Sequence, residues 1–183
     1  MAGAASAPYP SGMNTIVTRR LELIPATAEL VRAEMDEPER FCDLLGVVRA
    51  DDWPSENLQA VLPLFLDELR DPANVGWLCW YWIDRAENAL VGGGGFKGRP
   101  STDGAIEIGY ETRPAYRRRG YASEGVAALV NWAFSQMGVR RVVAETAPDN
   151  AGSIGVLLAA GFERTGPGSE PELVAFERIA YGD

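Results

Sequence analysis

Histidine is missing from this chain altogether. Its absence removes the side chain that most often serves as a general base near neutral pH, the commonest zinc ligand, and every arrangement in which an imidazole activates a serine or cysteine. Proton abstraction, if the chain performs any, falls to a carboxylate, a water or the backbone. Cysteine is nearly as scarce. Cys42 and Cys79 show no metal-binding or redox spacing, and two cysteines in a chain this long make no disulfide framework. A reducing cytoplasm is the expected setting, with no metal. No apolar run approaches the ~20 residues that cross a bilayer, so no membrane partner is expected. Basic residues are outnumbered, 17 Lys and Arg against 26 Asp and Glu, giving a net charge of −9. Nucleic acid binding needs a basic face that neutralises phosphates, and this balance argues against it.

What is present is enough for a sizeable core: 183 residues with 46% hydrophobic content and no shift of composition along the chain. Residues 1–12 are small, proline-bearing and unpatterned, and are expected to be a loose leader before a single domain spanning residues 13–183. Thr15 to Ile24 reads as a strand and Thr27 to Asp36 as a helix, limited by Pro38. Phe41 to Trp53 is ambiguous. Ser55 to Leu69 has the apolar spacing of a helix, which Pro63 should kink or split. Val75 to Ile83 reads as a strand covered on both faces, with Ala89 to Lys97 as its hairpin partner. Gly92 to Gly95 fall in that partner; no Gly-Lys-Ser/Thr follows them, so they mark close packing or a bulge rather than a nucleotide loop.

Ile106, Ile108 and Tyr110 alternate with Glu107, Gly109 and Glu111, the period of a half-covered strand, which Pro114 ends. Beyond Ala122, Val126, Leu129, Val130, Ala133, Phe134 and Met137 follow helical spacing up to Gly138. Between the two lie Arg117, Arg118, Arg119, Gly120, Tyr121, Ala122 and Ser123. The first turn of a helix offers N–H groups without intrahelical partners and the positive end of the macrodipole. Gly120 permits a close backbone approach, Ala122 leaves the turn open, and three guanidinium groups suit phosphate oxygens. This local basic cluster fits one small polyanion, with a diphosphate as its natural guest. Arg140 to Thr146 is a further strand, Asn150 opens a helix with Ile154, Leu157 and Leu158 on its buried stripe, and Phe162 to Gly166 with Leu173 to Arg178 form a closing hairpin.

Arg117, Gly120 and Ala122 match the Arg/Gln-x-x-Gly-x-Gly/Ala signature of the GNAT superfamily of acyl-CoA-dependent N-acyltransferases. Asn150, Ser153, Ile154, Val156, Leu157, Gly161 and Phe162 resemble the Asn-x-x-Ser-Ile-x-Val-Leu-x-x-x-Gly-Phe segment of its RimJ/RimL-like branch. Arg19, Leu21, Leu23, Pro25 and Thr27, and the Glu107 to Tyr110 strand, are similar to that branch too, so the resemblance runs from Thr15 to Arg178. It implies an α/β (α+β) fold: a central, mixed, mostly antiparallel twisted sheet of about seven strands flanked by helices, with a splay between the two central parallel strands.

The resemblance also implies acetyl-CoA as cosubstrate and transfer of its acetyl group to an amine, either a protein N-terminus or a small molecule. The residues from Arg117 to Ser123 would grip the diphosphate, and Tyr110, Glu111 and Thr112 would pair with the pantetheine arm as an added strand. Asn150 would face the arm, cap its helix, or do both. A lysine-like amine, pKa about 10.4, must lose a proton before it attacks. Glu107 is the first candidate base, against the alternative of a solvated surface carboxylate; Glu111 and Glu145 stand behind it. Many members of the superfamily carry an acid tyrosine where this chain has Leu157. Ser153 is then the candidate donor to the departing sulfur, or a capping serine. Leu157 and the lack of histidine motivate the alternative of a non-catalytic acyl-CoA-binding module. Relatives are frequently homodimers, though no exposed apolar stripe demands one here. Trp53 is either an aromatic of the acceptor cleft or ordinary packing.

Overall fold

The computed structural model describes residues 14–180, so the expected leader lies outside the described residues. Among the described residues eight strands form one sheet: β1 (Ile16–Val17), β2 (Leu21–Pro25), β3 (Cys79–Asp84), β4 (Ala89–Phe96), β5 (Ala105–Thr112), β6 (Arg141–Thr146), β7 (Glu163–Pro167) and β8 (Val174–Ile179). Their spatial order is β1-β2-β3-β4-β5-β6-β8-β7. Among the described residues every neighbouring pair is antiparallel except β5 with β6. The mixed, mostly antiparallel sheet expected from the sequence is therefore present. The segment read as one first strand divides at Thr18, whose N–H turns back to the Leu21 carbonyl at 2.9 Å, and this adds a strand.

Among the described residues five α-helices cover the sheet: α1 (Ala28–Asp36), α2 (Pro38–Leu45), α3 (Glu56–Glu68), α4 (Tyr121–Ser135) and α5 (Ala151–Ala159). Three have a side-chain cap that accepts from the first turn: Thr27 from Leu30 N, Ser55 from Leu58 N and Asn150 from Ser153 N. Pro38, rather than only limiting α1, opens α2 at its first position, where the missing N–H costs nothing. Pro63 lies inside a continuous α3. It removes the donor for the carbonyl of Gln59; both residues are exposed, so water can satisfy that oxygen.

One core lies between the sheet and α4 with α5, and includes Trp80, Trp82, Leu129, Val130, Leu157 and Phe176. The other lies between the opposite face and α1 to α3, and includes Ile24, Val31, Phe41, Leu62 and Tyr81. Burying side chains of this size contributes roughly 1.5–3 kcal/mol each. Gly125 lets α4 sit directly on β3, because a Cβ there would stand 2.8 Å from the Trp82 ring. Two expected core residues are solvent-facing. Met137 is 98% exposed because α4 ends at Ser135 and Gln136 turns extended; Leu158 is 55% exposed, on the outer side of α5.

α1 carries a carboxylate into its core. Glu34 is buried, and its oxygens accept from the Trp53 indole at 2.8 Å and the Tyr81 hydroxyl at 2.6 Å. Burial pushes its pKa up to about 7 against those two hydrogen bonds, and the charge of Glu111 adds to the rise. A carboxyl whose folded value lies above its unfolded value gains protons on folding, so stability falls as pH rises between the two. At about 1.4 kcal/mol per unit, the interval from 4.5 to about 7 corresponds to roughly 3 kcal/mol. No histidine titrates in this window. Urea unfolding of the parent should show stability declining from pH 4.5 to 7.5, and Glu34→Gln should flatten that slope. A slope unchanged by the substitution would assign it elsewhere.

Candidate active site

The longest helix, α4, begins without a side-chain cap. Gly120 occupies the cap position in the left-handed region, with φ 80 and ψ 8, and Arg118 is also left-handed, with φ 59. Non-glycine residues rarely hold that conformation, and they cluster at binding sites. Neither protein backbone nor protein side chain accepts from the N–H groups of residues 118–123 among the described residues. They form a concave row of donors at the positive end of the helix.

Contacts from behind hold the row in place. Arg20 Nη1 donates to the Arg119 carbonyl at 2.8 Å, while Arg20 Nε pairs with Glu124 Oε2 at 2.7 Å. The other Glu124 oxygen accepts from the Arg20 N–H and the Thr18 hydroxyl, each at 2.7 Å. Burial alone would raise the Glu124 pKa, but these partners outweigh it and hold the carboxyl below its ordinary value. The Arg20 guanidinium also lies 4.4 Å from the centre of the Tyr121 ring, and the Tyr121 hydroxyl donates to Asp84 at 2.7 Å. Arg117 Nε reaches back to the Thr112 carbonyl at 3.0 Å. Arg119 stacks over Tyr116. Among the described residues Arg118 has neither an ion pair nor a side-chain hydrogen bond, and it is exposed.

The donor row stands beside an opening in the sheet. β5 pairs with β6 only from Ala105 to Glu107, opposite Arg141 to Val143. Further along, β5 bonds to β4 and β6 bonds to β8, leaving their facing edges apart. This is the expected splay. The Tyr110 hydroxyl spans towards α5 and meets Ser153 Oγ at 3.0 Å and the Ser153 carbonyl at 3.2 Å. Asn150 caps α5 through Oδ1, 3.1 Å from Ser153 N, so the serine hydroxyl is not the cap. The Tyr110–Ser153 pair was not legible in the sequence, because forty-odd residues of chain separate partners that only the splay brings together.

On the other face of β5, a cavity of about 690 Å³ lies between the sheet and α3. Gly93, Gly95 and Gly109 line its floor, and Trp53, Leu58 and Phe65 its wall. Tight packing explains most of the glycine run: a Cβ on Gly95 would fall 1.6 Å from the Leu78 carbonyl, and one on Gly94 2.7 Å from Trp82. Gly109, on the neighbouring strand β5, differs: among the described residues nothing lies within 4 Å of such a Cβ. Glu111 lines one side. Ser55, the cap of α3, donates to its Oε2 at 2.6 Å, while Oε1 is buried without a partner among the described residues. Thr112 Oγ1 is also buried and unpartnered. Glu107 is half-buried and ion-paired with Lys97 at 2.5 Å, and it is not among the lining residues. Glu145 is bound by Ser169 through both oxygens. Trp53 does line the cleft, fixed by its bond to Glu34. One signal for Glu34 was available, since it sits four residues after Leu30 on the apolar stripe of α1.

An uncapped helix start beside splayed parallel strands is the architecture of an acyltransferase of the GNAT type. Residues 20–163 match the family model described as "Acetyltransferase (GNAT) domain", and the chain belongs to that family of enzymes. It is 32% identical over 151 residues to the N-acetyltransferase YjdG of Bacillus subtilis, covering 82% of this chain and 90% of that protein. It also shares 37% identity over 87 residues with the N-acetyltransferase YoaA of the same organism, 48% of this chain and 49% of that one. Solved structures of similar fold include the RimL ribosomal L7/L12 alpha-N-protein acetyltransferase in complex with coenzyme A, with TM-score 0.64, 19% identity and 91% and 98% of the two chains covered. Another is the ribosomal-protein-S5-alanine acetyltransferase of Vibrio fischeri, with TM-score 0.63, 16% identity and coverage of 91% and 96%. No helix of the described residues is long and apolar enough to cross a membrane.

Left-handed backbone costs a residue bearing a Cβ about 1–2 kcal/mol, and asparagine is the side chain that tolerates it best. Gly120→Val should therefore lose about that much stability in thermal or urea unfolding, with Gly120→Asn losing clearly less. Equal losses would mean that the conformation at Gly120 is not what requires glycine.

Proposed function

We propose that this chain is a cytoplasmic, acetyl-CoA-dependent N-acetyltransferase that transfers acetyl directly to a primary amine in the cleft between α3 and β5. The observation that carries this reading is the uncapped first turn of α4 opening beside the splay. A diphosphate satisfies the unpaired amides of residues 118–123, with Arg118 free to add its charge. The β5 edge from Tyr110 to Thr112, which β6 does not pair, suits an extended amide-bearing arm, the Thr112 carbonyl alone being taken by Arg117 Nε, and Asn150 Nδ2 keeps its donors while Oδ1 caps the helix. The GNAT family and the RimL fold with coenzyme A bound support the cosubstrate.

Acetyl-CoA supplies the thioester carbonyl and, on departure, a thiolate. The amine nitrogen forms a bond to the carbonyl carbon as the carbon–sulfur bond breaks. The excess proton on nitrogen passes to a carboxylate. We assign that carboxylate to Glu111, which lines the cavity and has an oxygen without a partner; Glu107, on the same strand face, is engaged by Lys97. The thiolate takes a proton from Ser153 Oγ as that oxygen takes the proton of the Tyr110 hydroxyl 3.0 Å behind it, and solvent returns a proton to the tyrosine. A thiol near the ordinary value of about 8.5 needs only modest assistance. Positioning of the amine supplies much of the rate. The tyrosine absent at Leu157 thus has a substitute reached from the opposite strand, which weakens the case for a non-catalytic module.

Acetyl-CoA at about 100 times its Kd should stabilise the fold by about 2.7 kcal/mol, seen as a raised Tm, and free thiol should appear in proportion to added amine. Glu111→Gln should lower kcat by about 100-fold while acetyl-CoA still stabilises the protein. A fold indifferent to acetyl-CoA contradicts the assignment of the cosubstrate, and an unaltered kcat in the Gln variant removes Glu111 from the chemistry.

A further inference from the structure

The cavity beside Glu111 limits what the acceptor amine can be. We infer that the acceptor is a small monoamine on an apolar body of about ring size, of the arylalkylamine kind, rather than a polycation. This inference rests on the reading of the chain as an amine acetyltransferase, and specifies its acceptor.

Size is the first argument. A volume of about 690 Å³ falls in the range of sites that enclose small organic ligands. The second is the character of the walls. Leu58, Phe65 and the Trp53 ring present carbon, and the apolar surface continues outward to Val61 and Leu64, which are 37% and 59% exposed. Large apolar side chains left in water at the mouth of a cavity are what an apolar guest would cover. The Trp53 ring cannot swing away freely, because its indole N–H is held by Glu34 at 2.8 Å and its edge lies against Gly93. The third is the floor. Among the described residues nothing stands within 4 Å of where a Cβ of Gly109 would be, so a flat group can lie directly on the backbone of β5.

Charge is the fourth argument. A polyamine or aminosugar carries several cations, each needing a carboxylate or water inside the site. Among the described residues two carboxylates line the cavity, Glu68 and Glu111, and the third charged group there is the cation Lys97. Glu111 has an oxygen without a protein partner, and Ser55 fixes the other at 2.6 Å. One amine is therefore matched by one oriented carboxylate, and Glu107, just outside the lining, is already taken by Lys97 at 2.5 Å. The acetyl transfer itself is unchanged: nitrogen gains the acyl carbon, sulfur leaves as thiolate, and one amine proton goes to Glu111.

The test uses the full chain with acetyl-CoA and three acceptors: 2-phenylethylamine, spermidine and a serine-initiated hexapeptide. Thiol release gives kcat/KM, and tryptophan fluorescence of the protein without acetyl-CoA gives amine binding independently of turnover. Phenylethylamine should be favoured by about 100-fold over both others and should change the fluorescence. Gly109→Leu, which places a side chain in the open floor, should raise its KM about tenfold with the Tm shift caused by acetyl-CoA retained. Leu64→Lys, on an exposed position that does not threaten folding, should weaken it in the same direction. Preference for spermidine or the peptide would overturn the acceptor class and leave acetyl transfer standing. Phenylethylamine that neither binds nor reacts overturns the inference as well. Absence of any Tm shift with acetyl-CoA would instead strike the cosubstrate reading beneath it.

Discussion

An N-terminal helical turn whose amides have no acceptor is costly to build into a protein, because each unpaired donor forfeits a hydrogen bond worth about 1 kcal/mol or more when shielded from water. At the start of α4 this chain places such a turn without the side-chain cap that satisfies one of these donors on other helices, as Thr27, Ser55 and Asn150 do. Gly120 supplies the left-handed cap conformation without supplying a side-chain acceptor. The Arg20–Glu124 pair then holds the Arg119 carbonyl from behind, so the loop keeps its shape without using its own N–H groups. The rest of the site is arranged around that turn: the splay beside it, the β5 edge leading from it, and the cleft on the far face of the same strand.

The two faces of β5 divide the labour by simple alternation. The Tyr110 hydroxyl reaches Ser153 of α5, whereas the Glu111 carboxylate meets Ser55 at the start of α3 and borders the cavity. A strand can present a leaving-group donor on one face and an acceptor-binding carboxylate on the other within two residues because successive side chains oppose each other. The pairing of β5 with β6 ends at Glu107 and Val143, so both groups lie in the stretch where the strand edge is free.

Local patterns carried much of this in the sequence. Alternation at Ile106, Ile108 and Tyr110, helical spacing at Val126 to Ala133, and caps at Thr27 and Asn150 depend on neighbours a few residues away, and each element stands where those residues indicate. Long-range pairings were not legible. Glu34 meets Trp53 and Tyr81, Ser55 meets Glu111, and Lys97 meets Glu107 only after the sheet is assembled. Element ends were also weakly encoded. Met137 and Leu158 fit the apolar spacing yet face water, one because the helix has already ended and the other because α5 has a narrower buried stripe than its composition suggests. Pro63 shows the converse: a residue unfavourable inside a helix is accommodated where its orphaned carbonyl is on the wet side.

The central claim is that the amides opening α4 receive a diphosphate. Backbone amide NMR of the ¹⁵N-labelled protein, titrated with coenzyme A, addresses them individually. The account predicts saturating shifts for the amides of residues 119–123, with the Arg20 and Glu124 amides behind them moving less. Saturable binding of coenzyme A that leaves residues 119–123 unperturbed, with the response concentrated elsewhere, would contradict it.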